Sequence, residues 1–133
     1  MLMPSVSRYM TLNPCTISPQ DTVATAFALM RSHGFRHLPV TKNGKLVGII
    51  SDRDLRIDRT RGATDLEAIR AEDVMTKTVI AVAPETPMDQ ALQLMSAMRC
   101  SSLVAIDKTG VAGILTASDA LWALSDLLRR EAS

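Results

Sequence analysis

Apolar and polar positions along this chain fall into two matching runs. In the first, Val23, Ala26, Phe27 and Met30 recur at i, i+3, i+4 and i+7, one face of a helix. They predict a helix from about Thr22 to His33, with Asp21 as N-cap and Gly34 ending it. His37–Thr41 and Lys45–Ile50 then flank Asn43-Gly44, a strong two-residue hairpin signal, and Pro39 predicts a locally free edge on the first arm. A further helix is expected to begin near Asp52.

The second run repeats the first. Gly48-Ile49-Ile50-Ser51-Asp52-Arg53-Asp54 returns 65 residues later as Gly113-Ile114-Leu115-Thr116-Ala117-Ser118-Asp119. The same offset relates Met10-Thr11 to Met75-Thr76, Pro19 to Pro84, and Leu38 to Leu103. Such self-similarity marks a tandem repeat. In the second copy Thr86 is read as the cap, Pro87 lies in the first turn and Asp89 completes a box-like cap. Met88, Ala91, Leu92, Leu94, Met95 and Met98 cover a wide arc, which calls for a second partner beyond the helix's own core. Ser102–Ile106 and Val111–Leu115 form the second hairpin about Lys108-Thr109-Gly110, and a last helix from near Ala117 carries Leu121, Trp122, Leu124, Leu127 and Leu128 before Arg129-Arg130. Asn13–Ile17 and Thr78–Val82 read as short extended segments. Val6–Thr11 is a short amphipathic turn, echoed at Ala71–Thr76. Each repeat is therefore β-α-β-β-α, which makes this an α/β chain.

Composition narrows the function. The 133 residues are 47% apolar, enough for a continuous core, whereas half that length alone is marginal. A net charge of +1 and 3% aromatic residues leave neither a field nor stacking platforms for nucleic acid. No apolar run approaches the roughly 20 residues that span a bilayer, and the N-terminus lacks a signal-peptide pattern, so a cytoplasmic protein off the membrane is expected. Cys15 and Cys100 belong to no CxxC pair and read as free thiols. His33 and His37 find no set of zinc ligands, and there is no G-x-S-x-G elbow, Walker loop or HExxH helix. An enzyme and a metal site are not expected. Trp122 is assigned to a helix–helix interface.

The two turns carry the candidate chemistry. A hydroxyl at a strand-to-helix turn lies beside free N–H groups at the positive end of a dipole, which suits phosphate. A carboxylate three residues on can accept hydrogen bonds from ribose hydroxyls. Ser51-x-x-Asp54 and Thr116-x-x-Asp119 also have the form of a capping box, which needs no ligand. Two copies in matched positions favour a site.

With "FRHLPVTKNGKLVGIISDRDL" in the first copy and "GILTASD" in the second, the chain resembles a cystathionine β-synthase (CBS) domain pair over roughly Ser5 to Leu124. The resemblance implies repeats at 5–57 and 71–124, a connector at 58–70 and a C-terminal helix end at 125–133. It implies two sheets about a pseudo-twofold axis, and clefts for AMP, ADP, ATP, S-adenosylmethionine or NAD, with no cofactor required. It also implies a homodimer formed through the helices. The methionines are read as packing residues, with a dimer seam of Met88, Met95 and Met98 as the alternative. On this pattern Asp54 and Asp119 hold ribose while Ser51 and Thr116 approach phosphate. The clefts are expected to be crossed, so that Asn13, Cys15, Arg36 and His37 serve Asp119, while Thr78, Ile80 and Ser101 serve Asp54. Arg53 and Arg56 flank the Asp54 turn, and Ser118 stands where Arg53 does. A nucleotide-sensing regulatory module signalling to another protein is the expectation; a ligand-independent scaffold is the alternative, and a small nucleotide hydrolase a weaker one.

Overall fold

The computed structural model describes residues 2–55 and 65–132. Arg56, Gly62 and the connector up to residue 64 lie outside the described residues. In chain order the elements are a 3-10 turn (Val6–Arg8), β1 (Thr11–Leu12), α1 (Val23–His33), β2 (His37–Lys42) and β3 (Lys45–Ser51). A helical turn at 52–55 (α2) follows. Then come α3 (Ala71–Val74), β4 (Ala81–Val82), α4 (Met88–Met98), β5 (Ser102–Asp107), β6 (Gly110–Thr116) and α5 (Ala117–Ala132). The result is an α/β fold of small sheets flanked by helices. Among the described residues no helix is long and apolar enough to cross a membrane.

The chain packs as two compact units whose boundaries differ from those of the sequence repeats. One, the split unit, is Met1–Pro14 with Ile80–Ser133; the other, the contiguous unit, is Cys15–Val79. The reason is an exchange of the segment that leads each repeat. Thr11 and Leu12 pair antiparallel with Ile114 and Gly113 of the second repeat. At the matching positions Thr76 bridges Ile49 of the first. Val6 and Ser7 donate to the carbonyls of Thr86 and Pro84, and Ala71 and Glu72 donate likewise to Asp21 and Pro19. Both glycines before the strand ends make room for this segment. A Cβ on Gly48 would lie 2.6 Å from Met75 Sδ and 3.0 Å from the Thr76 carbonyl, and one on Gly113 would lie 2.5 Å from Met10 Sδ.

After the exchange each chain segment returns to its own repeat. β4 pairs parallel with β5, Ala81 against Val104 and Val82 against Ala105, giving a four-stranded sheet of order β1-β6-β5-β4. In the contiguous unit β2 and β3 stand as a two-stranded sheet, and Ile17 makes a single parallel bridge to Val40. Pro39 explains the shortfall. Val104, its counterpart, donates its N–H to the Ile80 carbonyl at 3.0 Å; proline has no N–H to give the matching carbonyl of Cys15. The edge expected at Pro39 is thus partly covered, since Pro39 O accepts from Ile17 N–H and Ile17 O from Thr41 N–H.

Both hairpins have two-residue loops. Asn43 and Gly44 adopt φ of 53° and 79°, as a primed turn requires. In the other hairpin Asp107 Oδ1 accepts from Thr109 N–H and Oγ1 at 2.8 and 2.6 Å. Those bonds hold the Asp107 carboxyl below its ordinary pKa.

Three local expectations need correction. Thr22, not Asp21, caps α1, its side chain accepting from Thr25 N–H at 3.1 Å, because the Asp21 carboxylate is taken by Ser18 N–H at 2.8 Å. Pro87 is the cap of α4 and makes no side-chain cap bond. The Pro4 carbonyl instead accepts from Met88 N–H at 2.8 Å, so the exchanged segment does the work expected of Thr86. Asp89 Oδ1 takes its own neighbour, Gln90 N–H, and forms no box. Met88 and Met95 are packing residues as expected, buried in the split unit's core with Ala91, Leu103 and Leu115, and of the three methionines offered for a dimer seam Met98 is exposed. Gly34 ends α1 in the left-handed region as expected, and Arg99 takes that conformation at its counterpart, with φ of 51°.

Candidate functional site

Both strand-to-helix turns fold as reciprocal capping boxes. Ser51 N–H donates to Asp54 Oδ2 at 3.0 Å, and Asp54 N–H donates to Ser51 Oγ at 3.1 Å. Thr116 N–H and Oγ1 donate to Asp119 Oδ2, each at 3.0 Å, and Asp119 N–H donates to Thr116 Oγ1 at 3.3 Å. The box satisfies N–H groups that a helix start otherwise leaves unpaired. All of these carboxylate bonds end on Oδ2, which leaves Oδ1 outside the box in both turns.

Within each unit, backbone pairing fixes which residues lie beside each turn. An antiparallel hairpin sets the residue before its first strand next to the residue after its second. Hence Asp52 N–H donates to Arg36 O at 2.8 Å, and Ala117 N–H to Ser101 O at 2.9 Å. His37 pairs with Ser51, and Ser102 with Thr116. The backbones of Arg36 and His37 therefore lie beside the Asp54 turn, and that of Ser101 beside the Asp119 turn. The same holds one strand further out. In the register set by Ile17 and Val40, Cys15 falls level with Leu38, one residue from the Ser51 end. Ile80 is likewise held against the start of β5 through Val104.

Asn13 and Thr78 lie elsewhere. Asn13 donates its N–H to Ala112 O, four residues back along β6 from Thr116, or roughly 13 Å. Thr78 runs past the Ile49–Thr76 bridge in the direction away from Ser51. Within its own unit, Asn13 is not beside the Asp119 turn, nor Thr78 beside the Asp54 turn.

The turns differ in charge. Around Asp54 stand Arg36 and Arg53, both exposed, with half-buried His37 and Asp52. Around Asp119 the matching positions are Ser101, Ser118, Ser102 and Ala117, and the carboxylate is the one ionisable group among them.

One feature near the second turn was not singled out by sequence reasoning. Asp119, Trp122 and Asp126 share a face of α5. Tyr9 OH donates to Asp126 Oδ2 at 2.8 Å, and the Tyr9 and Trp122 rings meet edge to face at 4.9 Å. Asp126 also receives Arg130 Nε at 3.1 Å. Burial, then the bond to Asp126 and its charge, push the Tyr9 hydroxyl above its ordinary 10.0. The Tyr9 hydrogen bond, aided by Arg130 and opposed by desolvation, holds Asp126 below 3.8. Among the described residues no His, Cys, Asp or Glu cluster could hold a metal ion.

Comparison with known proteins agrees with this architecture. The family model described as "CBS domain" matches residues 6–57 and 71–126. CBS domain-containing protein YhcV of Bacillus subtilis (strain 168) is 31% identical over 117 residues, 88% of this chain and 83% of that protein. Inosine-5'-monophosphate dehydrogenase of Korarchaeum cryptofilum (strain OPF8) is 34% identical over 108 residues, 80% of this chain. The match spans only 21% of that enzyme's length. Among solved structures, an acetoin utilization protein (AcuB) from Vibrio cholerae superposes with a TM-score of 0.83 at 31% identity, over 99% of this chain and 98% of that one. The CBS domain pair of protein MJ0100, solved with 5'-methylthioadenosine and S-adenosyl-L-methionine, gives 0.81 at 26% identity, over 98% and 99% of the two chains. CBSX2, solved with AMP, gives 0.74 at 25%, over 93% and 98%.

Proposed function

The chain belongs to the CBS-domain family, and from that membership we propose that it is a regulatory, non-enzymatic module which binds an adenosine-containing ligand and passes its occupancy to a protein partner. AMP, ADP or ATP is the first class of ligand; S-adenosylmethionine and NAD are the others. The observation that carries this reading is the repeated box in which one carboxylate oxygen is spent on the backbone and Oδ1 is not. A helix start needs a cap once per helix. It does not need that cap to be an acid with its second oxygen left over, in matched positions of both repeats. In this reading Asp54 and Asp119 accept from ribose hydroxyls, and Ser51 and Thr116 with their neighbouring N–H groups face the phosphate or its substitute. The adenosine ligands of MJ0100 and CBSX2 support the class.

Occupancy acts on a partner only through different affinities for two states of the module. A cytoplasmic homodimer joined through helices completes the reading, and the exposed row Leu121, Leu124 and Leu128 of α5 supports it. A ligand-independent scaffold is the second reading, favoured by the same boxes, because capping alone accounts for the bonds now in place.

Calorimetry separates them. AMP, ADP, ATP, NAD and S-adenosylmethionine are titrated into nucleotide-free wild type, Asp54→Asn and Asp119→Asn. Asparagine keeps an acceptor for the box while removing the charge, so a lost ligand does not merely report a lost cap. A saturable ligand weakened tenfold or more in one variant supports the sensor. No heat from any of the five, with dimerisation intact, selects the scaffold.

A further inference from the structure

We propose that Met75 is a site of reversible sulfoxidation by hydroperoxides, and that its sulfoxide releases Thr76 from β3 while the rest of the contiguous unit stays folded.

The segment leading each repeat is pinned by a methionine laid over a glycine. Met10 covers Gly113 with Sδ, Cγ and Cε, and Met75 covers Gly48 with Sδ and Cγ, so that a Cβ on either glycine would have no room. A thioether suits such a spot because it is apolar, unbranched and polarizable. A sulfoxide does not. Oxidation places a polar acceptor oxygen on the very atom that touches the sheet. The backbone donors of the bridge beside it are already spent, Ile49 N–H on the Thr76 carbonyl at 3.0 Å and Thr76 N–H on the Ile49 carbonyl at 2.9 Å. The new oxygen must stay unpaired against the sheet or carry the side chain, and the segment with it, out to water.

The two pins differ in access. Among the described methionines Met75 alone is half-buried; Met3 and Met98 are exposed and the rest, Met10 included, are buried. The more accessible sulfur also guards the weaker attachment. In the split unit Thr11 and Leu12 both pair with β6, and Tyr9 bonds Asp126. In the contiguous unit a single bridge, Ile49 to Thr76, holds the segment to β3, and Val74 stands where Tyr9 does. Further back the segment is fastened separately, through Ala71 and Glu72 N–H on the Asp21 and Pro19 carbonyls. Those bonds set the extent of the opening: Thr76 comes away and Ala71 stays.

The step needs only the hydroperoxide. The Met75 sulfur attacks one peroxide oxygen, an S–O bond forms as the O–O bond breaks, and the departing hydroxide leaves as water with the proton of the sulfur-bound oxygen. The thioether is oxidised by two electrons and the peroxide reduced by two. A dithiol, through a methionine sulfoxide reductase, returns the thioether and releases water as it becomes a disulfide.

The test treats the full chain with graded hydrogen peroxide, locates sulfoxides by peptide mass spectrometry and reads amide hydrogen exchange on the same samples. Met3 and Met98 should oxidise first and Met75 next, with Met10 at least about tenfold slower than Met75. As Met75 converts, protection of the Ile49 and Thr76 amides should fall about tenfold or more, while Ala71 and Glu72 keep theirs. The two epimer-specific sulfoxide reductases with dithiothreitol should restore it. Met75→Leu, which keeps the packing and removes the sulfur, should stay protected under the same dose. That variant retains Cys15 and Cys100, so a loss that persists in it comes from another group and overturns the proposal. Wild type alone can also overturn it, by oxidising Met10 as fast as Met75, by keeping Ile49 and Thr76 protected when Met75 is fully converted, or by losing protection throughout the unit at once.

Discussion

The contiguous and split units are built from the same repeat, and they differ most where a single donor is present or missing. Val104 extends one sheet to four strands by bonding Ile80, while Pro39 leaves the other with two strands and an isolated bridge. The cores beneath are equivalent: Leu38 and Leu103 are both fully buried at matching positions. The sheet edge and the turn beside it are where the two units depart from one another in hydrogen bonding and charge.

The largest expected effect comes from imposing one unit's chemistry on the other. Val104→Pro removes the bond to Ile80 inside a four-stranded sheet and should cost about 3 kcal/mol in chemical denaturation. The reverse change, Pro39→Val, gains a hydrogen bond worth about 1 kcal/mol net and loses a similar amount of chain-stiffening entropy. Its stability should move by under about 1 kcal/mol, and the new amide at position 39 should be protected from hydrogen exchange. An unprotected amide there would refute Pro39 as the cause of the shorter sheet.

A smaller contrast is expected at the paired glycines. Gly48→Ala and Gly113→Ala should each cost about 1–3 kcal/mol by overpacking. Gly48→Ala should cost more, because its Cβ would meet the Thr76 carbonyl, held in the bridge to Ile49, whereas the nearest atoms to Gly113 all belong to the Met10 side chain. Equal melting shifts would show that the methionines set both costs.

The smallest effect separates the units by pH. Tyr9 and Asp126 bond in the split unit, and the position matching Tyr9 is Val74. Asp126 titrates below 3.8 when folded, so its contribution is present above 3.8 and lost as pH falls through the lowered value. Tyr9 titrates above 10.0 when folded, so its contribution is full below 10.0 and lost as pH rises through the raised value. Tyr9→Phe should lower Tm by a few degrees between about pH 5 and pH 9, with the difference from wild type closing in acid. A difference unchanged down to about pH 2 would exclude the hydrogen bond as its source.

Much of this was legible in the sequence because it is local. Asn43-Gly44 dictates a turn wherever it stands, and Ser51-x-x-Asp54 dictates a cap. The exchange of leading segments was not legible from the residues alone, for a physical reason, and the expectation of a crossing came from the family resemblance. Because the repeats match, Met10-Thr11 fits the strand ending at Ser51 about as well as the one ending at Thr116. Sequence similarity says which surfaces pair and not which copy supplies them. That the backbone of Arg36 lies beside the Asp54 turn was available from hairpin geometry. The caps of α1 and α4 turned on neighbours of similar chemistry, Asp21 beside Thr22 and Thr86 beside Pro87, which sequence alone ranks poorly.

The exchange has a consequence for how the protein is made. The contiguous unit emerges from the ribosome in one piece and can close while synthesis continues. Met10 must wait for Gly113, about a hundred residues and roughly 5–20 s of translation later. Until then the exchanged segment, apolar at Val6, Tyr9 and Met10, has no sheet to join. It is synthesised before the contiguous unit and folded after it, so a ribosome that stalls between Val79 and Gly113 leaves this segment without its partner strand.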